Sequence, residues 1–372
     1  MTLVCPIGPD RHVDWDHLAG YYDGFEQMAT CPQEPEFHGE GDVLTHTKMV
    51  VDSLLADPRW ATLDEQRRAE VFTAAVLHDI GKPATTRIED GRIRQPGHAR
   101  RGEIIARVQL WQRGVPAGPR ERIANLIRFH LQPFHLLDHD RPTERLFHAS
   151  WACDGTDPLL LLARADASGR ISKTREELIE RVDLARLLAE DHATIDAPFE
   201  FASDHSRVHW FRQPSRDPHH ALHDDTEFEV TLMSGLPASG KDHWVSAHAP
   251  DVPVISLDAL RTELGVGPTK NQGPVLQAAR ERARVHLRAR RSVVWNATSL
   301  SRRVRAQCID LFLAYGARVH IVAIEAPHDV ITGRNSGRSR PVPDAALARM
   351  LDVWEAPDPT EAHRVTYVES GV

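Results

Sequence analysis

Cysteine is scarce in this chain: Cys5, Cys31, Cys153 and Cys308 are scattered through 372 residues, with no C-x-x-C pair. That excludes a disulfide framework and a zinc knuckle, and it fits a reducing cytoplasm. No apolar run is long enough to span a bilayer, so no membrane association is expected. The opening residues, MTLVCPIGPDRHVDWDH, lack a basic region followed by an apolar segment, so no secretion signal is expected either. Positive charge is also short, with 45 Lys+Arg against 53 Asp+Glu and a net charge of −8. This argues against nucleic-acid binding over the whole surface but leaves room for a local basic groove. Histidine is abundant, at 22 residues, and most lie outside regular apolar periodicity. The length suits about two domains, each able to bury its own core.

The most informative stretch is FEVTLMSGLPASGKDHWVSAHAPDVPVISLDALR, Phe228 to Arg261. A β-rich run turns through Gly235-Leu236-Pro237-Ala238-Ser239-Gly240-Lys241 and resumes as a helix. Such a glycine loop wraps backbone N–H groups around a phosphate, with the helix N-terminus facing the anion and Lys241 reaching the terminal phosphates. One position departs from the pattern. Asp242 stands where a Ser or Thr hydroxyl normally holds Mg²⁺; its carboxylate either takes that role or favours the helix N-terminus, and metal contact is the preferred reading.

The first half reads as helices. A short one is expected within Trp15 to Phe25. Asp42 caps a helix that Pro58 ends, and another runs from Asp64 to Asp79, with Gly81 as a left-handed stop and Pro83 as a block. Others run from His98 to the Gly114-Val115-Pro116 break and from Pro119 to Leu131. The last two run from an Asp157-Pro158 start to Gly169 and from Arg175 to His192. No stretch alternates with period two, so an all-α domain is expected over 1–197. Residues 198–226 are rich in Pro, Asp and His and read as a packed joint, because Phe199, Phe201, Val208, Trp210 and Phe211 need burial. From residue 227 to 372, FEVTLMS, PVISLD, SVVWNA and RVHIVAIE alternate with helices, which argues an α/β domain with a parallel sheet. Ligands of such sheets sit at the strands' carboxyl ends, which gathers Gly235–Lys241, Asp258 and Asn296 to Thr298 into one crevice.

His46, the adjacent His78-Asp79, His98, His130 and Asp166 lie within the first-half helices, and imidazole plus carboxylate suits a divalent transition metal. The order His46, then His78-Asp79 followed by Ile80-Gly81-Lys82, then Asp166, each on its own helix, resembles the HD phosphohydrolase superfamily. GHARRGEIIARVQLWQRGVP followed by ERIANLIRFH resembles the HD domain appended to bacterial tRNA nucleotidyltransferases. The resemblance implies a first metal held by His46, His78, Asp79 and Asp166. It also implies a second, bridged by Asp79 and held by His98 and His130, with water activated by the ions attacking phosphorus. Lys82 and Arg170 are candidates for neutralising phosphate oxygens, or are solvated charges.

In the second half, Asp258 follows a strand with Arg261 three residues on. On position alone Asp258 is either a helix cap or a base that takes the proton of an attacking hydroxyl, with Arg261 on the acceptor's phosphate. The arginines of ARERARVHLRARR and SRRVR form either a solvated helix face balanced by Glu281 or a groove for a nucleic-acid backbone, and only the other motifs favour the groove. Arg334-Asn-Ser-Gly-Arg338-Ser-Arg340-Pro-Val-Pro343 reads as a mobile lid whose guanidinium groups spread phosphoryl charge. A P-loop, a strand-end Asp with a following Arg, and an R-N-x-x-R lid together resemble 5′-OH polynucleotide kinases. By that resemblance Lys241, Asp258, Arg261 and Arg338 (with Arg334 or Arg340) carry the transfer, while Gly235–Asp242, Arg334 and Arg338 hold the nucleotide.

Over roughly residues 40 to 370 the whole chain resembles HD-Pnk, the bacterial two-headed end-healing enzymes. That resemblance implies ATP or another NTP with Mg²⁺ in the kinase domain, and transition-metal removal of 2′,3′-cyclic, 2′- or 3′-phosphates in the HD domain, with Asp79 and Lys82 at its centre. RNA or DNA ends would be the substrate, and a polynucleotide ligase would act next. Two rivals remain: an HD nucleotidase for free nucleotides with a regulatory ATP-binding domain, and an ATP-gated RNA-binding module with a structural HD site.

Overall fold

The computed structural model describes residues 3, 12–214, 216–267, 269–338 and 341–370. The chain divides into two compact units, Met1–Glu200 and Phe201–Val372.

The first unit is helical. α1 (Trp15–Tyr21) and α2 (Phe25–Ala29) replace the single short helix expected there, because Gly24 breaks the path at φ 110°. Asp42 caps α3 (Val43–Ala56) by accepting the Thr45 N–H at 2.8 Å, as its position predicts. Pro58 ends α3 but also opens α4 (Pro58–Thr62), and Asp64 caps α5 (Glu65–Leu77). His78 and Asp79 fall in the turn beyond α5 rather than inside a helix.

Gly81 is not the left-handed stop its residue type suggests; its φ is −82°, in the right-handed region. What the position needs is space. A Cβ there would lie 2.2 Å from the His98 carbonyl oxygen and 2.5 Å from the Gly102 nitrogen, both backbone atoms that no rotamer can move. Pro83 likewise does not block a helix but sits in the first turn of α6 (Lys82–Thr85). Gly81→Ala should therefore push the His98 turn away from His78-Asp79. The expected cost is about 1–3 kcal/mol, as for other overpacked sites, read as a lower melting temperature together with slower phosphate release.

Next comes a hairpin that the periodicity did not indicate. β1 (Arg87–Glu89) pairs antiparallel with β2 (Arg92–Arg94) through Asp90-Gly91, whose φ values of 52° and 75° suit a tight primed turn. The helices α7 (His98–Gln112), α8 (Ala117–Phe129), α9 (Gln132–His135), α10 (Pro142–Cys153), α11 (Asp157–Ser168) and α12 (Arg175–Asp191) complete the unit. Thr156, rather than Asp157, holds the cap position of α11. α11 carries Leu159 to Leu162, all buried, and packs against α3, α5, α8 and α12. That fixes its last turn, with Asp166, against the helix that carries His46.

In the second unit, α13 (Asp204–Arg212) is bound to the sheet domain by buried Arg207. Its guanidinium donates to the carbonyls of Pro359, Ala362 and His363. Most of the Pro/Asp/His-rich stretch thus packs with the sheet domain. The sheet contains β3 (Phe228–Ser234), β4 (Val254–Ser256), β5 (Val293–Asn296), β6 (Ala317–Glu325) and β7 (Arg364–Glu369), in the order β4-β5-β3-β6-β7. Every pairing is parallel. The connections carry α14 (Lys241–His248), α15 (Leu257–Glu263), α16 (Gly273–Arg288), α17 (Arg302–Leu313), α18 (His328–Ser336) and α19 (Asp344–Leu351). On one face Val230, Leu232, Trp295 and Ile321 pack with Ala279, Ala283, Ile309 and Phe312; on the other Met233, Val294, Val322 and Ile324 pack with Val245. Burial on both faces is why these strands read as continuous apolar runs. Strand order reverses around β3, so the loop after it opens at the switch point where such sheets bind ligands.

Candidate functional site

The first unit gathers six sequence-predicted residues, five of them around Asp79. Its Oδ2 lies 3.1 Å from His78 Nε2 and 3.8 Å from His46 Nε2. Its Oδ1 lies 3.4 Å from His98 Nε2 and 3.9 Å from His130 Nε2. Asp166 Oδ1 stands 3.0 Å from His46 Nε2. One carboxylate thus faces two groups of imidazoles, one with each oxygen. All six residues are buried.

The rings are oriented from behind. Nδ1 of His78, His98 and His130 each donates to the carbonyl three residues earlier, on Ala75, Gln95 and Ile127, at 2.8, 2.8 and 2.7 Å. That fixes the tautomer and turns every Nε2 lone pair inward. The Nε2 atoms of His78 and His98 and Asp79 Oδ1 are buried without a hydrogen bond. A buried lone pair left unpaired costs about 1–3 kcal/mol, so the cluster fits a cation better than it fits a structural role. The HD domain implies a divalent metal, and this donor set suits one.

The charge states agree with that. Burial pushes His130 down to about 3 and also lowers His98, keeping both neutral. Burial works against the Asp79 carboxylate, yet His78 and Lys82 hold it well below the usual range; Arg170 and His46 do the same for Asp166. Neutral imidazoles and ionised carboxylates are the forms that bind metal. His78 goes the other way: burial opposes its proton, but Asp79 raises it.

A cleft of about 220 Å³ opens on this cluster, lined by Asp79, His98, His130, Lys82 and Arg170, with Phe37, His38 and Ile93 among the other walls. Lys82 Nζ reaches Asp79 Oδ2 at 2.7 Å and Gln33 Oε1 at 2.5 Å, and Arg170 holds Asp166 with a bidentate pair, Nε to Oδ1 at 3.0 Å and Nη2 to Oδ2 at 2.8 Å. Neither is a freely solvated charge. His135 stands apart, with its side chain 62% exposed and paired to Asp138. His219 and His220 are also exposed, in the other unit.

In the second unit the loop after β3 curls through positive φ at Gly235 (150°), Ala238 (63°) and Gly240 (102°). Its start is stitched to the end of β5, with the Gly235 N–H donating to the Thr298 carbonyl at 2.9 Å. Lys241 is folded back on the loop, donating to the carbonyls of Gly235 and Leu236 at 2.9 and 2.7 Å. Burial lowers its amine to about 8; Asp242 and Asp258 work against that shift and Arg338 adds to it.

Asp258 lies in the first turn of α15, which Ser256 caps, so Asp258 is not the cap. Its side chain is 81% exposed and pairs with Arg261, whose Nε also donates to Gln272 at 2.7 Å. Asp242 accepts the Asn296 amide at 2.6 Å, tying the loop's end to the end of β5. Arg334 falls in the last turn of α18, not in a loop, and donates to Ser370 Oγ at 3.1 Å; Ser370 in turn donates to the Ser239 carbonyl. Asn335 clasps Val342 through both backbone groups, at 2.8 and 2.9 Å, so the arginine segment starts from a pinned base. Arg338 is exposed. Arg340 lies outside the described residues.

Sequence reasoning placed Asn296 in the phosphate-loop crevice but missed Gln33, His38, Glu40 and Ser370 as neighbours of these sites. The only available signal was position: His38 and Glu40 stand in a glycine-bearing loop just before the helix of His46.

Comparison with known proteins agrees with this division. A family model described as an HD domain matches residues 43–168, and one described as an AAA domain matches residues 230–357. The chain is 45% identical over 64 residues to a CC-adding tRNA nucleotidyltransferase of Thermus thermophilus, covering 17% of this chain and 15% of that protein. It is 32% identical over 121 residues to a multifunctional CCA protein of Halorhodospira halophila, covering 32% of this chain and 27% of that protein. The chain thus spans under a third of either relative's length. An unliganded sugar kinase from Janibacter sp. HTCC2649 superposes on 38% of this chain and 86% of its own, at 22% identity and a TM-score of 0.30, a likeness too distant to argue from. A helical HD domain is followed by a P-loop kinase-like domain with a five-stranded parallel sheet. This is an enzyme with hydrolase-type and kinase-type units, whose P-loop domain implies a nucleotide and Mg²⁺.

Proposed function

We propose that the two units heal opposite ends of a broken polynucleotide: the second phosphorylates a 5′-hydroxyl, and the first removes a 2′,3′-cyclic, 2′- or 3′-phosphate. The observation that carries this reading is a carboxylate, Asp258, that follows strand β4 in the first turn of α15 and pairs with Arg261. An ATP sensor needs no base for an acceptor, whereas phosphoryl transfer onto a hydroxyl does.

In the kinase unit Lys241 leaves the Gly235 and Leu236 carbonyls and takes the terminal phosphates of ATP or another NTP. Asp258 releases Arg261, accepts the proton of the 5′-hydroxyl, and Arg261 turns to the acceptor's phosphate. A bond forms from the 5′-oxygen to the γ-phosphorus as the β–γ bridge breaks, with Arg338 and Arg334 spreading the charge. Asp242, held by Asn296, would stand beside Mg²⁺ where the usual hydroxyl is missing.

In the HD unit His46, His78, Asp79 and Asp166 would hold one transition metal ion, and Asp79, His98 and His130 a second. Bound there, such ions lower the pKa of water and polarise the phosphoryl group. Lys82 and Arg170 offer their remaining N–H groups to phosphate oxygens while keeping Asp79 and Asp166 ionised.

The discriminating experiment offers wild-type protein two substrates, an oligonucleotide 3′-phosphate and a free mononucleotide, and measures phosphate release. Efficient release from the oligonucleotide is expected. Release from mononucleotides alone would replace this reading with a nucleotidase carrying a regulatory ATP domain.

A further inference from the structure

The loop between Pro32 and Asp42 holds a carboxylate and an imidazole that the ligand set does not use. Glu40, with a side chain 1% exposed, places Oε1 at 2.8 Å from His38 Nδ1 and 2.8 Å from His46 Nδ1. Its other oxygen accepts the Ile171 backbone N–H at 2.9 Å. The contact from His38 is a hydrogen bond, so that ring spends its Nδ1–H on Glu40 and is fixed by it. His38 is left with Nε2 as its working edge. His46 turns its own Nε2 to Asp166.

His38 is 8% exposed, stands edge-on to His46 with ring centroids 4.7 Å apart, and lines the same cleft as Asp79, Lys82 and Arg170. Its Nε2 has no hydrogen-bond partner among the described residues. The cleft's other groups suit a phosphate: cations and metal ligands. A fixed imidazole lone pair does not, since a phosphate oxygen offers it no proton. It needs a donor.

We propose that His38, held by Glu40, accepts a hydrogen bond from the sugar hydroxyl next to the phosphate being removed, and so makes the cleft prefer ribose-ended substrates. This rests on the phosphoesterase reading above. His38 is then a specificity-determining residue, and Glu40 positions it.

The test uses three oligonucleotides of one sequence, each with a 3′-phosphate, ending in ribose, 2′-deoxyribose or 2′-O-methylribose. The last keeps the oxygen and loses the donor. Wild type should favour the ribose end in kcat/KM by about tenfold over both others, the scale of one hydrogen bond. His38→Ala should drop the ribose rate to the level of the other two and leave the deoxyribose rate unchanged, which also reports an intact fold. His38→Gln, which offers an amide oxygen, should recover part of the preference. The proposal is overturned if wild type shows no preference, if the 2′-O-methyl end serves as well as ribose, or if His38→Ala slows all three alike. If no oligonucleotide end is hydrolysed, the end-healing reading fails. The same comparison on 3′-phosphorylated nucleosides then decides the role of His38 by the same criteria.

Discussion

Lys241→Ala should abolish transfer of the γ-phosphate to a 5′-hydroxyl end while leaving 3′-phosphate removal at the wild-type rate. The ammonium is the cation placed to meet the donor's terminal phosphates, and now rests on the carbonyls of Gly235 and Leu236. Loss of a single preorganised group that stabilises transition-state charge costs on the order of 10²–10³ in rate, and this one also binds the ground-state nucleotide. The truncation should not unfold the unit, because it removes a buried charge whose burial already lowers its pKa to about 8. Radiolabel transfer from NTP to an oligonucleotide measures the first effect, phosphate release the second, and a melting curve checks the fold.

Asp79→Ala should do the reverse, eliminating phosphate release and bound transition metal while sparing 5′ phosphorylation. No other residue can substitute, because its two oxygens face different imidazole groups, His46 and His78 on one side and His98 and His130 on the other. Removing it also leaves Lys82 buried beside an empty place, and breaking a buried ion pair costs about 3–5 kcal/mol. Asp79→Asn, which keeps the volume but halves the acceptor capacity, is therefore the companion variant. Metal content after dialysis and 5′-kinase rate are the readouts. If either substitution in a folded protein removes both activities, the two sites are not independent.

The candidate site residues were largely legible because their signals are local. A phosphate loop needs glycines at fixed spacing between a strand and a helix, and the adjacent His78-Asp79 is visible as a pair. The central strands β5, β3 and β6 showed as apolar runs because both faces are covered. β7 did not, since its residues are exposed or half-buried and its sequence, RVTYVE, carries no apolar run. The Asp90-Gly91 turn was readable in principle, but three-residue strands give periodicity nothing to count. Gly81 taught something different: a glycine's residue type suggests a special φ, while here it answers the close approach of another helix's backbone. Partners that meet through the fold were beyond the sequence altogether. Glu40 reaches His46 from a loop, and Ser370 reaches the phosphate loop from the other side of β7 in sequence.

The most direct measurement is made on one oligonucleotide carrying a 5′-hydroxyl and a 2′,3′-cyclic phosphate, incubated with wild-type protein, NTP, Mg²⁺ and a transition metal. The product should bear a 5′-phosphate and a free 3′-hydroxyl and become sealable by an added polynucleotide ligase. An oligonucleotide recovered with both ends unchanged, under conditions where free nucleotides lose phosphate, would contradict the account.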